Sequence, residues 1–93
     1  MCPPITWTDK SEEHIARHNV QPYEVEDVLY SKPRLKIRGE GDTMKYFGQT
    51  DAGRYLAVLT APANDGGTYI VTARDMDEAE KKRFQRRFQT KGR

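Results

Sequence analysis

Two histidines and one arginine are the first residues whose type and spacing could do chemistry. His14 and His18 stand four apart, a spacing that puts two side chains on the same side of a helix. With an ordinary pKa near ~6.5, imidazole moves protons readily at neutral pH. A metal pair has the same spacing, but no third ligand follows at a telling distance. Packing or capping is the stronger account of either histidine taken alone, since His18 in a last helical turn complements the helix dipole. Arg74 ends the apolar stretch that begins at Tyr69. At a strand end its planar guanidinium could grip two phosphate oxygens at once. The competing use is an ion pair with Asp75, Asp77 or Glu80.

Lys45 and Arg54 fall on neighbouring predicted strands, with Tyr46, Tyr55 and Tyr69 among them. Cations interleaved with aromatic rings suit RNA, because bases stack on rings while phosphates meet cations. Tyrosine is also an ordinary strand residue. No glycine-rich phosphate cradle leads from a strand into a helix. There is no cysteine spacing for a metal and no serine-hydrolase elbow. The sequence therefore leaves metal-independent chemistry, with no cofactor, or pure binding.

The elements that must position these residues can be read in order. Ile5 to Thr8 alternates as a short strand. Asp9 with Glu12 is an Asp-x-x-Glu helix start, with Asp9 as the cap, for a helix running to His18. Asn19 is a left-handed stop. Pro22 opens a second helix that ends near Ser31, before Pro33, with Val25, Val28 and Leu29 on one face. Strands follow at Leu35–Ile37, Met44–Gly48, Tyr55–Thr60 and Tyr69–Arg74, with turns between them short enough for an antiparallel meander. Asp77 with Glu80 starts the last helix, in which Phe84 and Phe88 share a face. The expected fold class is α+β, one domain over residues 1–89 with a frayed basic tail at 90–93. The helices are expected on one face of a mostly antiparallel sheet.

Composition bounds the function. In 93 residues, 35% are hydrophobic and 32% charged, so the core is thin and the surface heavily charged. The formal net charge of +2 does not announce a polyanion partner. Its distribution says more: Lys81, Lys82, Arg83, Arg86, Arg87, Lys91 and Arg93 crowd the C-terminal end, against Glu12, Glu13, Glu24, Glu26 and Asp27 near the front. That asymmetry is compatible with a polyanion, as it is with a solvated helix face. The single cysteine, Cys2, allows no internal disulfide. No apolar run reaches the ~20 residues of a membrane span, and no signal peptide is evident. A cytoplasmic protein is expected.

Five ordered pieces carry a family likeness. They are Trp7-Thr8-Asp9; His14-Ile15-Ala16-Arg17-His18-Asn19-Val20 with Glu24-Val25-Glu26-Asp27-Val28; Gly48-Gln49-Thr50-Asp51-Ala52-Gly53-Arg54; Ile70-Val71-Thr72-Ala73-Arg74; and Met76 with Glu80 and the basic helix through Arg87. Over roughly residues 5 to 88 the chain resembles the BrnT family of bacterial toxins. Arg17 stands where that pattern has lysine, and Asn19 where it has glycine. The resemblance implies a fold similar to RelE-type ribonucleases and a type II toxin, a hydrolase that cleaves RNA and arrests growth. It implies a BrnA-like antitoxin that neutralises the toxin and reaches operator DNA itself. On that reading Arg74 stabilises charge and His14 or His18 moves protons. Lys45, Arg54 and Arg83 meet RNA phosphates, and Tyr46 offers a stacking surface. The alternative is a toxin homologue without catalysis, acting as a protein- or nucleic-acid-binding module.

Overall fold

The computed structural model describes residues 4–30 and 34–89. The order is β1 (Ile5–Thr6), α1 (Asp9–Ala16), α2 (Pro22–Tyr30), β2 (Arg34–Arg38), β3 (Met44–Gln49), β4 (Tyr55–Pro62), β5 (Thr68–Asp75) and α3 (Glu78–Gln89). The strands form one sheet in the order β1-β5-β4-β3-β2. From β2 to β5 the neighbours are antiparallel, and only β1 joins in parallel, on β5. The expected frayed tail at 90–93, the helix end at Ser31 and Cys2 lie outside the described residues.

Local chemistry sets the helix ends. The cap of α1 is Thr8, one residue earlier than expected, and its hydroxyl accepts from the Ser11 amide at 3.0 Å. The helix also closes before His18. The Asn19 amide bonds the Ala16 carbonyl and the Val20 amide bonds the Ile15 carbonyl, both at 3.0 Å. That closure needs a left-handed residue, and Asn19 supplies it with φ 63°. Val20 and Ile15 then meet in the core. Pro22 opens α2, and the Glu24 carboxylate accepts from the Gln21 amide at 2.9 Å. At α3 the Asp77 and Glu80 side chains each accept the other's amide, at 2.8 and 3.0 Å, a reciprocal capping box.

The helices occupy both faces of the sheet, not one as expected. On the first face α1 lies against β5 and α2 against β3 and β4. Ile15, Val20, Val25, Val28 and Leu29 pack there on Tyr46, Leu56, Val58, Ile70 and Ala73. On the opposite face α3 lies against β2 and β3. Phe84 and Met76 pack there with Phe47 and Ala57, flanked by Leu35, Ile37 and Tyr55. Phe84 of α3 is buried there, and the side chain of Phe88 lies outside the described residues. Gly48 lets α2 approach β3 closely, because a Cβ there would stand 2.9 Å from a methyl of Val28.

A bulge decides where Arg74 points. Leu59 pairs with Thr72 but Thr60 pairs with Ile70, so Val71 is the extra residue of β5. Ile70 and Ala73, three apart, therefore both face α1 and α2. Arg74, the next residue, faces α3 and lies opposite Ala57, whose small side chain leaves it room.

Candidate functional site

Arg74 is half-buried, and its guanidinium meets Glu80 of α3 end-on. Nη1 donates to Oε1 and Nη2 to Oε2, both at 2.8 Å. Nη1 also donates to the Asp75 carbonyl at 3.0 Å. An arginine carries five N–H donors. Nε–H and the second Nη2 hydrogen thus meet no acceptor among the described residues, and they form one side edge of the guanidinium. That edge can bind two oxygens of one phosphate. The Glu80 carboxyl is held below its ordinary range, chiefly by the Arg74 hydrogen bonds, with burial opposing. Arg74 is held more firmly protonated by the same bonds.

Other cations share this face. Lys45 Nζ stands 4.0 Å from Glu80 Oε2. With Arg83, Ile37, Phe47, Ala79 and Glu80, Lys45 lines a shallow cleft of about 200 Å³ between β3 and α3. Its lining combines apolar side chains with two cations and one carboxylate, and cations beside apolar surface suit a polyanion that carries flat bases. Lys45 and Arg83 thus share one cleft with Glu80, the carboxylate that holds Arg74.

Arg54 is placed differently. Its Nε and Nη2 hold Asp75 at 2.7 and 3.3 Å. Nη1 donates to the Asn19 carbonyl at 2.8 Å and to Glu24 Oε1 at 3.0 Å, and Nη2 to the His18 carbonyl at 3.3 Å. All five donors are engaged. Arg54 joins the end of α1, the start of α2, and strands β4 and β5. The Asp75 carboxyl is held low first by Arg54 and further by the charges of Lys81 and His18. A wider cleft of about 540 Å³ opens here, lined by Gly53, Arg54, Tyr55, Asp75, Met76 and Lys81. Lys81 Nζ lies 5.4 Å from the centre of the Tyr55 ring.

The remaining expected site residues separate. His14 is half-buried on α1, across the sheet from Arg74. His18 is exposed, in the turn after α1, near Asp75 at the end of β5. The two histidines therefore do not share one helix. Tyr46 is only 5% exposed and packs in the core of the α1 and α2 face. Its ring is closed to a stacking base, which corrects the expectation placed on it. Among the described residues, no group of three or more His, Cys, Asp or Glu side chains could hold a metal ion.

No family model, curated protein or solved structure matches this chain. Glu80, expected as a helix-start residue and a rival partner for Arg74, also lines the cleft with Lys45 and Arg83. The signal was there: a carboxylate three residues into a helix, six after a strand-end arginine. Among the described residues, no helix is long and apolar enough to cross a membrane.

Proposed function

We propose that the chain is the toxin of a type II toxin–antitoxin pair similar to the BrnT family, an endoribonuclease that cuts RNA without a metal. The observation that carries this reading is the open Nε/Nη2 edge of Arg74 on a face shared with Lys45 and Arg83. In such a reaction the RNA 2′-oxygen attacks the adjacent phosphorus and gives up its proton to a base. The P–O5′ bond breaks, and the departing oxygen takes a proton from an acid. The products are a 2′,3′-cyclic phosphate and a 5′-hydroxyl. Arg74 stabilises the charge that builds on the phosphoryl oxygens, a role worth about 100–1,000-fold in rate. Lys45 and Arg83 hold flanking phosphates. On this reading His14 or His18 moves the protons, and His18 lies near Asp75, the chain neighbour of Arg74.

The same reading gives the protein a RelE-like fold, a cytoplasmic setting and a BrnA-like antitoxin that reaches operator DNA on its behalf. A second reading is a non-catalytic binding module. It is favoured by the Glu80 carboxylate, which already fills the end-on fork of Arg74. Incubating purified protein with RNA in excess chelator separates the two. Ribonuclease function predicts cleavage, with growth arrest on induced expression, and loss of both in Arg74→Ala. Clean protein that cuts no RNA, or an Arg74→Ala variant of undiminished toxicity, would overturn the catalytic reading.

A further inference from the structure

Glu80 has more contacts than a capping residue needs. Oε1 accepts from both Arg74 Nη1 and the Asp77 amide, and Oε2 accepts from Arg74 Nη2 while facing Lys45. Its side chain is 15% exposed. The first turn of α3 fixes the carboxylate through the reciprocal bonds with Asp77. The carboxylate in turn fixes the guanidinium. Because the end-on fork is occupied, only the side edge of Arg74 is left to meet an incoming anion.

We propose that Glu80 is a positioning residue for Arg74, locking its guanidinium end-on so that the Nε/Nη2 edge is presented to the scissile phosphate. The inference rests on the ribonuclease reading of this site. A free arginine side chain samples many rotamers that binding must freeze out, and a reacting group misplaced by about 1 Å can cost about 100-fold in rate. Anchoring the fork before RNA arrives removes both penalties. Glu80 is poorly suited to be the proton acceptor instead, since its hydrogen bonds to Arg74 hold its carboxyl low.

The test uses the full chain and a short RNA oligonucleotide in chelator. The single-turnover cleavage rate is measured at saturating protein. Affinity is measured separately on an uncleavable version with a 2′-deoxy group at the cut site. Glu80→Gln keeps the helix start, because glutamine serves the same capping role, but it loses the charge and one arm of the fork. The expected result is a rate lowered about 100-fold, with affinity for the uncleavable strand unchanged or tighter because the fork of Arg74 is released. Glu80→Ala should lose at least as much, and added formate should restore part of the rate by filling the vacated carboxylate position. A Glu80→Gln rate equal to wild type overturns the proposal, as does a loss confined to affinity with the saturated rate intact. A Glu80→Ala deficit that formate cannot relieve in folded protein also counts against it. Wild-type protein that cuts no RNA would instead remove the ribonuclease reading on which the proposal stands.

Discussion

Arg54 and Arg74 lie near the same end of the sheet and both hold carboxylates, yet they are different kinds of residue. Arg54 spends all five donors on two carboxylates and two backbone carbonyls drawn from distant segments. Arg74 spends three donors on its neighbour Asp75 and on Glu80, and keeps one edge open. Charge and side-chain type are identical, and so is the presence of an ion pair. What separates them is the number of donors left over. The contrast also shows why an ion pair does not by itself argue against function: the pair at Arg74 engages one edge of the guanidinium and leaves another.

Removing each arginine in turn should separate the two roles. Arg74→Ala should lower RNA cleavage about 100–1,000-fold. It should cost only about 1 kcal/mol of stability, because Glu80 keeps Lys45 and the Asp77 amide as partners. Global unfolding of that variant would erase the distinction. Arg54→Ala should do the reverse and act on stability. It leaves Glu24, only 9% exposed, without its cation. A loss of roughly 2–3 kcal/mol is expected, below the ~3–5 of a fully buried pair because Arg54 is partly solvated. Thermal melting should show this as a drop of roughly 10–20 °C for a chain of this size. A melting temperature within a few degrees of wild type would mean that Arg54 is no fastener.

Acid provides a smaller and sharper probe. Asp75 and Glu80 both have carboxyls held below their ordinary range by their arginines. A carboxyl lowered in the folded state stabilises fully above its unfolded pKa, near ~4. That contribution fades as pH falls through the lowered value. Melts should therefore be level from neutrality to about pH 5 and decline below about pH 4. Asp75→Asn should make the decline shallower; an unchanged acid limb would deny its pairing with Arg54. The smallest effect concerns the start of α1. Thr8→Ala should cost about 1 kcal/mol by denaturant melting and Asp9→Ala only a few tenths, since Thr8 supplies the capping oxygen. Equal effects would contradict that assignment.

Much of this frame was legible in the residues. Asn19 as a left-handed stop, Pro22 at a helix start, the Asp77–Glu80 box and the antiparallel run from β2 to β5 follow from local chemistry, and local chemistry is what a sequence displays. The side of the sheet taken by α3 was less plain. An apolar helix face says that something is covered without saying what. The clue lay in β4, where Tyr55 to Leu59 is apolar without alternation; such a run marks a strand covered on both faces. The direction of Arg74 was hidden by the bulge at Val71, which shifts every later residue of β5 to the other face. The Arg54–Glu24 pair spans 30 positions and leaves no local trace. Tyr46 and Phe47 read alike as strand aromatics, but alternation sends one beneath α2 and the other beneath α3.

On the proposed reading Arg74 works through the geometry of its open edge and not through charge alone. Arg74→Lys tests it most directly, since lysine keeps the positive charge but has no planar fork. With melting temperature and affinity for uncleavable RNA measured alongside, the single-turnover cleavage rate of the folded variant should fall by at least about 10-fold. A lysine variant that cuts RNA at the wild-type rate would contradict the account.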